Sequence, residues 1–484
     1  MDVDALVRPG RRDLLIAGEW RESLDDSRFP VVDPATGRPI ADVADATPED
    51  ALAALAKAEA ARPSWAATPP RRRSEILRRA FEGMIARTDA LAELMVRESG
   101  KTLADARGEV AYAAEFLRWF SEEAVRLDGS VATAPGGTHR IVVVRKPVGT
   151  ALLVTPWNFP AAMVTRKIAP ALAAGCCALL KPATETPLTA LAVAGILHEA
   201  GVPAGVLAVL PTTRNAALVE AALDDPRVHK LSFTGSTEVG RGLLARASKR
   251  VVRCSMELGG NAPFVVFADA DLDAAVEGLL VAKMRNNAQA CTSANRVLVE
   301  APIAEEFTRR VVRAMGALRS GPGIDPGTQL GPLVDAAGRD KVDRLVGAAV
   351  RAGAKVLCGG TVPEGPGFFY PPTVLGDVAA DSPILREEIF GPVAPIVAFR
   401  DEAQAIRLAN DTEHGLVAYV FSRDLGRAMR VAEAIEAGMV GVNRGLVSDP
   451  AAPFGGVKQS GLGREGGHEG ILEYTEQRYL AVDW

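Results

Sequence analysis

The stretch from Gly149 to Leu210, GTALLVTPWNFPAAMVTRKIAPALAAGCCALLKPATETPLTALAVAGILHEAGVPAGVLAVL, decides the fold. GTALLVT reads as a strand, Pro160 to Ala174 as a helix, CALLK as a strand, Pro187 to Ala200 as a helix and VLAVL as a strand. The rhythm continues with a helix around Ala216 to Leu223, a strand at HKLSF and a helix at TEVGRGLLARA. Strands alternating with helices of this length specify right-handed βαβ units and a parallel sheet. Ligands of such sheets bind outside the carboxyl ends of the strands.

Outward from this block the texture changes. Towards the N-terminus, GSVATAPGGTHRIVVVRKPVG carries a Gly-Gly turn and a β-branched run, which predicts a hairpin. Before it, Thr47 to about Leu127 is helical: TPEDALAALAKAEAARPSW, RRRSEILRRAFEGMIARTDALAELMVRES and ARGEVAYAAEFLRWFSEEAVRL. Thr47 is the expected N-cap, with Pro48 at the first helical position. LLIAGEW and VVDPATGRPI predict short strands and a turn. Towards the C-terminus, PFVVF, VLVE, KVLCGG and PIVAF alternate with helices from Pro263 to about Asn443, a second α/β block. The tail LEYTEQRYLAVDW ends in an apolar strand whose expected partner is the hairpin or a neighbouring subunit.

The chain has 484 residues, 55 Lys plus Arg and 60 Asp plus Glu, for a net charge of −5. That balance gives no electrostatic drive towards nucleic acid or an anionic membrane. Apolar residues make up 48% and charged residues 24%, an ordinary globular composition. At about 150 residues per domain the length implies two to three domains. Five cysteines without a CxxC pair argue against a disulfide framework and a thiolate zinc site, and the scattered histidines show no helical metal spacing, so no metal is expected. MDVDALVRPGRRDLL has no apolar core of signal-peptide length, and no apolar run reaches about 18 residues, so a cytoplasmic protein is expected.

Two phosphate motifs fail. Gly461-Leu-Gly-Arg-Glu-Gly466 fits GxGxxG but follows the loop PFGGVKQS, not a strand. Gly100-Lys101-Thr102 resembles the end of a phosphate-binding loop, yet the glycine required five residues before Gly100 is Met95.

Four other strings sit at strand or helix ends: Thr155-Pro-Trp-Asn-Phe-Pro160, Phe233-Thr-Gly-Ser-Thr-Glu-Val-Gly240, Met256-Glu-Leu-Gly-Gly260 and Asn287-Ala-Gln-Ala-Cys-Thr292. Gly235 and Ser236 suit either a phosphate cradle or a tight turn. Cys291, among small and polar neighbours, suits either a nucleophile or an inert buried thiol. Glu257 suits either a buried general base or an exposed strand-end carboxylate.

PWNFP, KPA, FTGS, MELGG, QAC, EEIFGPV and PFGGVKQSGLGRE occur together, in this order, from residue 156 to 465. Seven such strings resemble the aldehyde dehydrogenase superfamily, and the helical N-terminal region fits it too. The resemblance implies an α/β fold with a Rossmann-like cofactor domain (1–128 and 148–256) and an α/β catalytic domain (257–448). It further implies an oligomerisation hairpin and C-terminal strand (129–147 and 466–484), a returning glycine-rich loop (449–465), and a homodimer or homotetramer.

For chemistry, the resemblance implies that Cys291 attacks an aldehyde to give a thiohemiacetal and then a thioester. Asn158 and the Cys291 N–H would receive the oxyanion, and Glu257 would activate the hydrolytic water. Trp157, Lys181, Gly235, Ser236, Leu258, Glu388 and Phe390 match cofactor contacts. Thr184 stands where NAD-preferring members often have glutamate, with Glu185 displaced by one. Because a carboxylate would repel a 2′-phosphate, NADP is expected to be accepted and preferred over NAD. Arg166, on one helical stripe with Phe159 and Met163, and Arg285, six residues before Cys291, match members that oxidise succinate semialdehyde, as does Ser448. An arginine fork binds a carboxylate bidentately. The expected substrate is succinate semialdehyde, with glutarate semialdehyde the nearest competitor. Ala288 replaces a glycine usual three residues before the nucleophile, Ser293 stands where some relatives carry a second cysteine, and Arg444 replaces a residue often acidic.

Overall fold

The computed structural model describes residues 3–8 and 10–483. Parts of the N-terminal stretch read for a leader (residues 1, 2 and 9) and the final tryptophan of the tail lie outside them.

Two sheets organise the chain. The first has eight strands in the order Glu19–Arg21, Leu14–Ile16, Leu207–Val209, Cys177–Lys181, Thr150–Val154, Val228–Thr234, Arg253–Glu257, Gly461–Leu462. The five strands from Leu207–Val209 to Arg253–Glu257 are parallel, with antiparallel strands at both edges. From Thr150–Val154 the chain winds through Cys177–Lys181 to Leu207–Val209, then returns to the other side at Val228–Thr234. The winding therefore reverses beside Thr150–Val154, which opens a crevice outside the carboxyl ends. The expected strands and helices of this block all form, with ends shifted by a few residues.

The second sheet runs Lys355–Cys358, Thr373–Gly376, Val393–Phe399, Ala294–Glu300, Ala262–Val266, Val417–Phe421, Met439–Val442, parallel except at its first pair. Its central strands are buried on both faces. Val265, Leu298, Val397 and Val420 pack into one apolar cluster, while Phe264, Val266, Val297, Val299 and Ile396 pack into another. This explains the continuous apolar runs in place of alternation.

Thr47 closes a capping box with Asp50 at the start of Pro48–Ala67. The long amphipathic stretch that follows is not one helix. It divides into Pro70–Ile85 and Thr88–Ser99, because the chain leaves helical geometry at Arg87. The hairpin Ser130–Thr133 and Arg140–Pro147 forms, and Thr475–Val482 pairs antiparallel with Arg140–Pro147 over its whole length. Within this three-stranded sheet Val131, Tyr479 and Leu480 are exposed. Among the described residues no helix is long and apolar enough to cross a membrane, and no cluster of His, Cys, Asp or Glu is suited to a metal ion.

Candidate active site

Where the two sheets meet, a cavity of about 390 Å³ opens. Its wall includes Trp157, Asn158, Gly235, Ser236, Leu258, Cys291, Glu388 and Phe390. Asp335 and Lys341, which the sequence analysis passed over, line it as well. Lys181, Thr184, Glu257, Arg166, Arg285 and Ser448 are not on this wall.

The first sheet supplies the bare side of the cleft. Ser236 caps the helix Thr237–Ala247, its Oγ accepting from the Val239 N–H at 3.3 Å. A Cβ on Gly259 would lie 3.2 Å from Thr237 Oγ1 and 3.4 Å from Glu388 Oε2, so glycine keeps this wall open. Glu388 Oε1 accepts from the Gly260 N–H at 3.2 Å, and burial pushes its pKa up to about 7. Trp157 meets Phe390 edge-on, with centroids 5.5 Å apart. A capped helix start for phosphates, a carboxylate for ribose hydroxyls and an aromatic wall together fit a dinucleotide.

Lys181 ends the strand Cys177–Lys181, and burial draws its pKa down to about 8 against the pull of Glu185. Thr184 Oγ1 donates to the Thr212 carbonyl at 2.9 Å and accepts from Asn215 Nδ2 at 3.1 Å. Burial also raises the pKa of Glu185.

The Cys291 thiol arrives differently. Cys291 stands three residues before the strand Ala294–Glu300, at the amino end of the second sheet. The chain reaches it through a left-handed run: Asn286 (φ 56°), Asn287 (φ 55°) and Ala288 (φ 62°). Asparagine tolerates this region, alanine does not, and the cost for alanine is about 1–2 kcal/mol. Each asparagine is held by its side chain. Asn287 donates to the Gly100 and Pro332 carbonyls at 3.1 and 3.0 Å and accepts from the Gly331 N–H at 2.7 Å. Asn286 donates to the Asn158 and Gln289 carbonyls at 2.8 and 3.0 Å. Asn158 Nδ2 donates to the same Gln289 carbonyl at 3.1 Å. The amide and the thiol therefore share one hydrogen-bonded loop. Burial pushes the Cys291 thiol up to about 12, with Arg166 pulling down, Glu257 and Glu388 pushing up and Arg285 pulling down. Burial, the largest of these, favours the protonated thiol.

Glu257 ends the strand Arg253–Glu257 and is buried. Both carboxyl oxygens lack a hydrogen-bond partner. A Cβ on Gly455 would come within 2.9 Å of Oε1, so that glycine makes room for the carboxyl. Burial, then Glu465, raises its pKa well above the usual carboxylate range, opposed by Arg166, Lys167 and Arg464. Lys167 donates to Glu465 and to Ser232. Glu465, inside the string PFGGVKQSGLGRE, and Lys167, beside Arg166, carry no local sequence signal that marks them as a pair beside Glu257.

Arg166 was expected to face the pocket. It is instead enclosed: its guanidinium donates to the Tyr112 hydroxyl, lies 3.7 Å from Glu465 and stacks 4.1 Å from the Phe454 centroid. Its Nε remains buried and without a partner. Arg285 is half-buried, 5.2 Å from the Phe159 centroid. Ser448 is half-buried in the loop after Met439–Val442, and Arg444 is exposed there. The failed motif residue Lys101 is also buried, in an ion pair with Glu109.

The profile of the aldehyde dehydrogenase family matches residues 20–480. A succinate-semialdehyde dehydrogenase of Paenarthrobacter nicotinovorans is 59% identical over 92% of this chain and 98% of that protein. A glutarate-semialdehyde dehydrogenase of Pseudomonas putida is 48% identical over 98% of both chains. A crystal structure described as an Escherichia coli NADP dependent enzyme superposes with a TM-score of 0.96, at 46% identity and 98% coverage of both chains.

Proposed function

The chain belongs to the aldehyde dehydrogenase family, and on that premise we propose that it oxidises succinate semialdehyde to succinate, with NADP preferred over NAD. The observation that carries the substrate is the buried, unpartnered Nε of Arg166, with Arg285 half-buried against Phe159, the residue next to Asn158. Such a donor suits an aldehyde with a carboxylate at its far end. Relatives named for four- and five-carbon acid semialdehydes agree with that class.

Cys291 Sγ attacks the aldehyde carbon, and its proton leaves to a base. The oxyanion that forms accepts from Asn158 Nδ2 and the Cys291 N–H. One such donor is worth roughly 3–4 kcal/mol in the transition state. A bound nicotinamide supplies the hydride acceptor through which the thiohemiacetal becomes a thioester. Glu257 takes a proton from water, the hydroxide adds to the thioester carbon, and the C–S bond breaks to release the acid and the Cys291 thiolate. Trp157, Gly235, Ser236, Leu258, Glu388 and Phe390 would hold the cofactor in the cleft. Lys181 and Thr184 would stand by its adenosine ribose. The preference for NADP is supported by the absence of a carboxylate at 184 and by the burial that favours the neutral form of Glu185.

In this reading 1–128 with 148–256 form the cofactor domain, 257–448 the catalytic domain and 449–465 the returning loop. Residues 129–147 and 466–484 join a cytoplasmic homodimer or homotetramer, a role suited to the exposed Val131, Tyr479 and Leu480. The test assays succinate semialdehyde, glutarate semialdehyde and butanal side by side with each cofactor by nicotinamide absorbance. The highest kcat/KM should fall to succinate semialdehyde with NADP. A higher value for glutarate semialdehyde or butanal defeats the substrate assignment, and a clear NAD preference defeats the cofactor assignment.

A further inference from the structure

Lys101 belongs to the string dismissed as a phosphate loop, and nothing in the reaction just described uses it. Yet its ammonium is 1% exposed and makes three hydrogen bonds to three different parts of the chain. One goes to Glu109, on the helix Leu103–Glu123. One goes to the Asn158 carbonyl at 2.9 Å, and one to Asn286 Oδ1 at 2.7 Å. The three donors of an ammonium are thereby all used.

Glu109 is equally committed. Its other oxygen accepts from the Ala161 and Ala162 N–H groups at 2.8 and 3.1 Å. These open the helix Ala162–Ala174, whose own N-cap residue, Ala161, offers no side-chain acceptor. A carboxylate from a distant helix therefore does the capping. Asn286 closes the ring by donating to the Asn158 and Gln289 carbonyls, the latter also accepting from Asn158 Nδ2. The segment around Lys101 is itself clamped: a Cβ on Gly323 would lie 2.1 Å from the Lys101 carbonyl oxygen, and one on Gly331 would lie 2.0 Å from the Gly100 carbonyl oxygen.

Burying an ion pair is an inefficient way to gain stability, because desolvation offsets the attraction. What this pair does that an apolar pair could not is bind the loop after the first sheet to the left-handed run before Cys291. We propose that Lys101 and Glu109 are positioning residues for the reaction, holding the carboxamide of Asn158 and the sulfur of Cys291 in register around one carbonyl carbon. This rests on the reading of Cys291 and Asn158 given above.

Two variants test it. Lys101→Met/Glu109→Gln removes both charges together and keeps an oxygen for the Ala161 and Ala162 N–H groups, so no lone charge is stranded. Asn286→Gly leaves the Lys101–Glu109 ion pair intact, suits the positive φ and removes the side-chain bonds by which Asn286 joins Lys101, Asn158 and Gln289. Melting temperature reports folding, and single-turnover reduction of NADP by succinate semialdehyde reports acylation and hydride transfer. For both variants kcat and the single-turnover rate should fall by about 10²-fold, while KM for aldehyde and cofactor change by less than about threefold. Folded variants with the kcat of the parent, or a loss confined to KM, overturn the proposal. A parent enzyme that oxidises no aldehyde would instead defeat the reading of the reaction, and this proposal with it.

Discussion

The two sheets that face the cleft are built on one plan and used at opposite ends. The first presents its carboxyl ends, so the loops that follow its strands, Thr155 to Pro160 and Gly235 to Ser236, form one side of the cavity. The second presents an amino end: Cys291 precedes its strand and is reached through three left-handed residues. The first arrangement needs little beyond turn chemistry, because helix starts and glycines supply the donors. The second needs a scaffold of buried amides and one ion pair. A thiol held this way is costly in backbone energy but fixed in place, as strained segments at functional sites tend to be.

Several substitutions would break or sharpen that contrast. The largest effect belongs to the second sheet. Cys291→Ala should lower kcat by at least about a thousandfold while cofactor binding, measured by fluorescence titration, persists. Glu257→Gln should come next, with steady-state turnover down by about 10²–10⁴-fold but an initial burst of reduced cofactor retained, since only thioester hydrolysis is lost. In the parent enzyme the unprotonated fraction of Glu257 grows as pH rises through a pKa held well above the usual range. Turnover should therefore climb with pH above the usual carboxylate range. A rate that is flat there would remove Glu257 as the base.

Arg285→Ala should raise KM for succinate semialdehyde by about 10–100-fold, the value of a charge-assisted hydrogen bond. It should hardly change KM for butanal, and equal losses for both would move the carboxylate site elsewhere. The smallest effect is one of stability. Ala288→Gly relieves an alanine held at φ 62° and should raise stability by about 1 kcal/mol or less, read from denaturant midpoints.

The first sheet was largely legible in the sequence because strand, turn and helix repeat there with proline and glycine punctuation. Asn158, Cys291 and Glu388 were found through short strings, and the cavity gathers them. Arg166 shows where periodicity stops. Its helical stripe gave the right face of the helix, but nothing in a period of 3.6 reveals that Tyr112, Phe454 and Glu465 enclose its guanidinium. The Thr184 hydroxyl likewise has a partner that no local pattern shows, the Thr212 carbonyl 28 residues away. Lys101, Glu109 and Asn286 were out of reach for the same reason: their partners are 8, 57 and 185 residues from Lys101. The break at Arg87 lay inside an unbroken amphipathic pattern, which fixes a face more firmly than it fixes an end.

The short strand Gly461–Leu462 pairs with Met256 and Glu257, and Ser460 accepts from the Leu258 N–H at 2.9 Å while donating to the Gly259 carbonyl at 2.7 Å. In a nascent chain Cys291 and Glu257 are therefore both synthesised long before the edge strand that pairs with Glu257. A chain that stops before Gly461 should accordingly leave the strand that carries Glu257 without its antiparallel edge partner and turn over poorly.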